Sequence, residues 1–409
     1  MCMAAASPFL TFPASDAMDD LKQLQQRIAD AMGNGRRLEI RGGGSKRAIG
    51  LTDDGADDGV EIIATGGLAG IIDYEPSELV LTLGAGTPLA EVEALLAEHG
   101  QMLAFDPFDH GPIFGAAPGK TTIGGVIAAG VAGSRRLTAG GARDHLLGFK
   151  AISGRGEIFI GGAKVVKNVT GYDLPKLMAG SWGRLALLAE LSLKVLPAPR
   201  DRASLMLHGS SDREALAAIA RAMRGHYEVA AAAHFPADTV PGMMAGKGAL
   251  TLLRLEGFRP SVEARLDGLH ELLGGVAMRG EEEAMLWQQL RAIAPLADAP
   301  LLWRVVVPPA SGWKVTEGLS GHDVRWLYDW AGGLIWLAAG DASAPVRDAA
   351  AQAGGHAMLV RAPDAARRQL PVFHPEPAAV AALSDRVRRS FDPAGVFRST
   401  RFGELVDAH

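Results

Sequence analysis

The stretch that most constrains this chain runs from Pro118 to Gly133, Pro-Gly-Lys-Thr-Thr-Ile-Gly-Gly-Val-Ile-Ala-Ala-Gly-Val-Ala-Gly. It has no acid, a single lysine, and glycines at 119, 124, 125, 130 and 133. Such a segment carries few side chains able to react with anything. It offers bare backbone that can lie close against a flat or anionic ligand. A second glycine cluster, Arg41-Gly42-Gly43-Gly44-Ser45-Lys46, precedes it and has the same character. Two such loops, far apart in sequence, point to one large cofactor gripped from two sides.

At 409 residues the chain exceeds one ordinary core, so two or three domains are expected. A hydrophobic share of 48% with 21% charged residues is globular rather than disordered. The net charge of −5 argues against a nucleic-acid surface. The lone cysteine, Cys2, excludes an internal disulfide framework and an iron–sulfur or Cys-zinc site within these residues. A reducing, cytoplasmic setting is the expectation. Residues 1–19 read as a flexible tail without the cationic start and apolar run of a signal peptide. No window reaches eighteen uncharged apolar residues, so no membrane span is expected.

Along the chain, Asp19 and Asp20 suit the cap of a helix whose Leu21, Leu24, Ile28 and Met32 recur at helical spacing, ended by Gly33 and Gly35. Residues 37–41, 60–64 and 78–83 read as strands. Thr87 then suits an N-cap and Pro88 the first helical position of a run to His99. Residues 146–153 and 157–160 predict a hairpin, and an apolar run from 185 to 196 ends in Pro197-Ala198-Pro199, taken as a domain boundary. Beyond Arg200, helices at 210–224, 262–273 and 285–293 interleave with strands at 249–255, 301–307, 324–328 and 334–337. That order suggests helices on one face of an antiparallel sheet. Six of the seven tryptophans fall between Trp287 and Trp336, where packing is the simplest role.

Several chemistries fail on spacing. Gly115 to Thr121 resembles a Walker loop, but it is one residue short between its glycines, with Phe114 in the place of the first. No Gly-x-Gly-x-x-Gly follows a strand with an acid suitably downstream. None of the eleven histidines has another within four residues, so no helical metal-ligand pair exists and no metal is expected. No serine sits in a Gly-x-Ser-x-Gly elbow.

What remains is the Arg41–Lys46 loop, Thr122-Ile123-Gly124-Gly125, Asp144-His145-Leu146-Leu147-Gly148, and Gly171 to Gly183, followed by Glu190 and Lys194. Together these resemble the FAD-binding domain of the vanillyl-alcohol-oxidase (PCMH) type over about residues 20–200, and Phe391–Phe397 resembles that superfamily's C-terminal end. Pro118-Gly119-Lys120, Gly162 with Lys167-Asn168-Val169-Thr170-Gly171-Tyr172-Asp173, and Gly354-Gly355-His356 followed by Phe373-His374-Pro375 are most similar to the smaller flavin subunit of bacterial glycolate oxidase. The resemblance implies an α+β flavoprotein. Its FAD domain would span 20–198, with 370–409 returning to it, and a smaller cap with an antiparallel sheet would span 199–369. The cofactor-binding candidates are Arg41, Gly42, Gly43, Gly44, Ser45, Lys46, Lys120, Thr121, Thr122, Gly124, Gly125, Ala128, Gly130, Gly133, Asp144, Gly183 and Glu190.

Departures sharpen the expectation. Where members of this superfamily carry a flavin-linked histidine, this chain has Gly44-Ser45, so the FAD should be non-covalent. Gly183-Arg184-Leu185-Ala186 replaces the usual Gly-Thr-Leu-Gly, which puts the contacts of the adenine end in question. The His-x-x-Gly-Asp-Gly-Asn-x-His stretch of related hydroxy-acid dehydrogenases has no counterpart. Flavin oxidation of a 2-hydroxy acid needs a base near the hydroxyl and a cation for the carboxylate. The candidates are Lys167, His356, Arg361 and His374. The implied partners are a larger flavin subunit and an iron–sulfur subunit, with membrane association only through them. A stand-alone oxidoreductase and a non-catalytic scaffold subunit are the alternatives.

Overall fold

Two antiparallel sheets organise the chain, each covered on both faces. The computed structural model describes residues 14–50, 60–163, 172–244, 246–397 and 402. The first sheet has five strands in the spatial order Ile71–Glu75, Val80–Gly84, Ala186–Lys194, Leu146–Ser153 and Ile158–Gly162. Its central strand, Ala-Leu-Leu-Ala-Glu-Leu-Ser-Leu-Lys, is apolar on both sides because both sides are covered. Leu187 and Ala189 pack with Ile28, Leu38 and Ile63, from the Ala14–Gly33 helix and the parallel strand pair Arg37–Arg41 and Val60–Ala64. On the opposite side Leu188, Leu191 and Leu193 meet the helices Leu89–Glu98 and Ile123–Ala129.

The C-terminal segment closes this unit. Both carboxylate oxygens of buried Asp392 accept backbone N–H groups, from Val396 and Phe397, each at 2.8 Å. Leu38 N then donates to Val396 O at 2.7 Å, joining the segment to the first strand.

The second sheet has eight strands, not the few that the sequence suggests. Their order is Val276–Met278, Asp201–His208, Leu250–Gly257, Ala231–Phe235, Val324–Asp329, Leu334–Ala339, Leu301–Val306 and His356–Arg361. Its outer face is covered by the helices Asp212–Arg224 and Arg259–Leu273 at one end, and by Gly312–Gly318 and Val346–Gln352 at the other. Its inner face packs Leu252, Phe235, Trp336 and Val360 against Ile49, Ile113 and Ala132 of the first unit. The two units therefore share an apolar core. Strand alternation sorts the tryptophans: Trp336 faces this interface, whereas Trp303 faces the outer helices.

Local details depart from expectation. The first helix begins at Ala14, so Asp19 and Asp20 lie within it and do not cap it. The Leu89–Glu98 helix takes Pro88, not Thr87, as its N-cap. The Thr87 hydroxyl turns back to donate to Gly84 O at 2.7 Å, which ties the strand end to the helix start.

Candidate cofactor cleft

The glycine loops meet. The first leaves the end of the strand Arg37–Arg41, and the second enters the Ile123–Ala129 helix, whose N-cap Thr122 accepts from Gly125 N at 3.3 Å. A Cβ on Gly42 would stand 2.4 Å from Thr122 Oγ1, and one on Gly43 would stand 1.4 Å from the carbonyl oxygen of Lys120. Glycine is required at both because the two backbones touch. Gly124 serves another contact: its N–H donates to Ala85 O at 2.8 Å, and a Cβ there would lie 2.6 Å from the same oxygen. That holds the helix against the sheet.

A cleft opens beside this junction. It is lined by Arg41 to Lys46, then by Thr122, Gly124, Gly125 and Ala128, and by Gly183. The remainder of its wall, Glu39, Ile40, Arg47, Thr65, Ala85, Ala129, Trp182, Ala186, Leu188 and Phe402, was not among the cofactor-binding candidates. Glu39 accepts from Arg41 Nη2 at 3.1 Å. Lys46 is 9% exposed, and its Nζ lies 3.8 Å from where a Gly125 Cβ would be. Bare amides, glycine surfaces and a buried ammonium at one mouth suit an anionic group carried by a flat, extended molecule. At the far wall Trp182 adopts φ 58°, its N–H donating to Ala128 O at 2.7 Å, and its ring packs edge-on against Phe373 and Phe402. Arg184 is not part of the wall, and its guanidinium stacks over Phe373 at 5.0 Å.

Other candidates lie elsewhere. The Lys120 side chain is exposed, and only its carbonyl abuts Gly43. Gly130 caps the short helix in a left-handed conformation, and Gly133 permits close approach to Asp106 O. Asp144 accepts from Gly141 N at 2.8 Å, a local capping contact. Glu190 pairs with Lys150 on the sheet. Thr121 sits behind the cleft, where its hydroxyl lies 2.7 Å from Ser45 Oγ and 2.6 Å from Asp109 Oδ1.

Asp109 is the organiser that sequence reasoning overlooked. It also accepts from Gly111 N at 2.8 Å and Gly119 N at 2.7 Å, pinning the second loop to the first through Thr121. Burial pushes its carboxyl up, but the bonds from Thr121, Gly111 and Gly119 and the charge of Lys46 outweigh burial and hold it below its usual range.

The catalytic candidates do not converge as a set. Lys167 lies outside the described residues. Arg361 is spent on structure, donating to Ile113 O at 2.5 Å and Leu296 O at 2.9 Å. His374 Nδ1 accepts from Ala357 N at 3.4 Å. His356 opens its strand, and burial, Arg304 and His374 together lower its pKa. Among the described residues no group of three potential ligands is placed to hold a metal ion.

A second, roomier cavity of about 820 Å³ separates the two units, reaching from Glu93 and Thr121 to Arg254 and Trp287. Its charges are mutually paired: Arg135 with Glu256 at 2.7 Å, Arg254 with Glu283 at 3.0 Å, Arg291 with Asp106 at 2.9 Å. Its arginines are thus engaged by carboxylates of this chain. Size alone favours it; chemistry favours the glycine cleft.

A family described as an FAD binding domain matches residues 16–162. The glycolate oxidase subunit GlcE of Escherichia coli (strain K12) is 36% identical over 389 residues, covering 94% of this chain and 97% of that protein. The glycolate oxidase subunit GlcD of Bacillus subtilis (strain 168) is 37% identical over 86 residues, 21% of this chain and 18% of that protein. Among solved structures, alkyldihydroxyacetonephosphate synthase superposes with a TM-score of 0.65 at 14% identity, covering 92% of this chain and 74% of that one. That likeness concerns the fold.

Proposed function

The chain belongs to the family of the glycolate oxidase subunit GlcE and is an FAD-binding oxidoreductase, and on that premise we propose that it is the FAD-carrying subunit of a glycolate oxidase complex. The observation that carries the proposal is the junction of the two glycine loops beside buried Lys46, in a chain similar to GlcE over nearly its whole length. The amides of Gly42 to Ser45 and the Lys46 ammonium hold the pyrophosphate, and the backbone at Gly124 and Gly125 lies against the cofactor. Ser45 offers no imidazole for covalent attachment, so the FAD is held non-covalently. Bound there, FAD supplies a two-electron acceptor for a carbon bearing a hydroxyl, and it can release electrons one at a time.

In this account glycolate is oxidised to glyoxylate and the electrons leave through an iron–sulfur partner. The lone cysteine supports that division, because clusters need several thiolates and these residues cannot furnish them. No helix of the described residues is long and apolar enough to cross a membrane, so contact with one would come through partners. The test compares turnover of glycolate with a dye acceptor, by this chain alone and by this chain co-purified with its partner subunits. Turnover that requires the partners supports the subunit role. Equal turnover by the isolated chain would make it a stand-alone 2-hydroxy-acid oxidoreductase.

A further inference from the structure

One turn of the eight-stranded sheet is strained, and it is a turn that reaches the first unit. The strands Val324–Asp329 and Leu334–Ala339 pair antiparallel, with Asp329 opposite Leu334, and residues 330–333 join them. Trp330, Ala331 and Gly332 follow one another at φ 51°, 53° and 95°. Glycine adopts that left-handed backbone freely, but a Cβ then crowds the following carbonyl oxygen, so Trp330 and Ala331 hold it at an energetic cost. A hairpin loop of this length is ordinarily built around a type I turn, which needs no such pair. Strain of this kind persists only where the surroundings impose it, and it gathers at functional sites. The surroundings here are tight. A Cβ on Gly332 would stand 2.7 Å from Leu216 Cδ2 and 2.9 Å from Pro309 O, and Ala331 is buried in the outer-face core with Ile219 and Val262.

What the turn aims is the Trp330 indole. Trp330 is 6% exposed and belongs to the core that the two units share, with Ala132. Its Nε1–H donates to Gly133 O at 2.9 Å, across the boundary between the units. Asp329 adds a second tie, accepting from Trp330 N at 2.7 Å and from Ser134 Oγ at 2.9 Å. The guanidiniums of Arg136 and Arg304 lie over the indole at 5.8 Å and 5.0 Å. Two more ties follow along the same segment: Arg135 pairs with Glu256 at 2.7 Å, and Thr138 Oγ1 donates to Ala230 O at 2.8 Å. Gly133 closes the second glycine stretch. Upstream, the helix Ile123–Ala129 gives Gly124, Gly125 and Ala128 to the cofactor cleft and ends at left-handed Gly130. Only Val131 and Ala132 stand between Gly130 and Gly133. Gly133 N–H donates to Phe105 O at 3.0 Å, so the first unit holds this residue by its N–H and the eight-stranded unit holds it by its carbonyl.

We propose that Trp330 is a positioning residue for the cofactor cleft: the strained turn aims its indole at Gly133 O, and the eight-stranded unit thereby sets where the second glycine loop lies against the FAD. This rests on the reading that the glycine cleft holds the FAD, and it adds that the cleft is incomplete without the second unit. Such coupling is reciprocal. If the tie at Gly133 raises the affinity for FAD, bound FAD tightens the tie by the same factor.

The experiment titrates FAD into the flavin-free full chain and follows the quenching of its fluorescence. Trp330→Phe keeps an aromatic ring and removes the indole N–H, and Ser134→Ala removes the second tie. Leu319→Ala empties a buried position among the outer-face helices of the same sheet and is the control. Losing one net hydrogen bond corresponds to about a 3–10-fold weaker Kd for FAD in Trp330→Phe, with Ser134→Ala shifted in the same direction. Leu319→Ala should lower the melting temperature while its Kd stays within about twofold of wild type. The second readout is hydrogen exchange at the Trp330 indole N–H, whose NMR signal is the one missing from Trp330→Phe. Bound FAD should slow that exchange about 3–10-fold and leave the indole of Trp303, on the outer face, unchanged. A Kd in Trp330→Phe within about twofold of wild type overturns the proposal. So does equal weakening in Leu319→Ala, which would make the loss one of general stability, and so does indole exchange that FAD leaves unaltered. If these variants bind FAD as wild type does, this inference fails and the reading of the cleft stands. If the wild-type chain takes up no FAD, the reading of the cleft fails and this inference with it.

Discussion

Replacing Gly43 by alanine tests whether the junction of the two glycine loops is what holds the cofactor. Its added Cβ would sit 1.4 Å from Lys120 O, where ordinary contact begins near 3.4 Å. The obstacle is a backbone carbonyl, which no side-chain rotation can clear. One loop must therefore retreat by roughly 2 Å, and overpacking of this kind costs about 1–3 kcal/mol. If that strain falls on the bound geometry, FAD affinity drops by about 5–150-fold. Gly125→Ala is the internal comparison. Its Cβ would lie 3.3 Å from Thr122 Oγ1, a contact that a small shift of the side chain relieves, and the loss should stay below about fivefold. Lys120→Ala should bind FAD as wild type does, since Gly43 meets the carbonyl and not the exposed side chain. The assay is quenching of FAD fluorescence on titration into flavin-free protein. Gly43→Ala binding within twofold of wild type, or Lys120→Ala binding far worse, would refute the reasoning.

Further outcomes follow from other parts of the molecule. Acid precipitation of the yellow protein should leave the flavin in the supernatant; colour retained in the pellet would contradict the role given to Ser45. Asp392→Ala removes the acceptor of two buried N–H groups, and should lower unfolding stability by about 2–4 kcal/mol in urea titrations. Asp329 has a folded pKa raised from 3.8 to about 7, so the stability it contributes is full below pH 4 and is lost as pH rises through about 7. Asp329→Asn mimics the protonated form; its stability relative to wild type should climb by a few kcal/mol between pH 4 and 7 and then level, and a flat difference would show that the carboxyl titrates normally.

The loops were legible in the sequence because their message is local. A run of glycines states that backbone must approach something, and Gly42 and Gly43 do so. The resemblance to an FAD-binding domain and the α+β class hold for the same reason: they rest on strings of neighbouring residues. The second sheet was under-read because Ala231–Phe235, Ala-Ala-Ala-His-Phe, has no strand signal of its own and is a strand only because Leu250–Gly257 pairs with it. Asp109 was invisible for a related reason. It is an unremarkable residue in sequence, and its meaning comes from Thr121 and Gly119, which only folding brings near. Asp144 and Glu190 illustrate the converse, residues in a suggestive run whose carboxylates are engaged by Gly141 and Lys150.

The most direct measurement is the visible spectrum of the purified chain, recorded before and after anaerobic addition of glycolate. The account expects about one releasable FAD per chain, its colour little changed by glycolate in the isolated chain and bleached by glycolate once the partner subunits are supplied. A colourless protein that takes up no added FAD would contradict it.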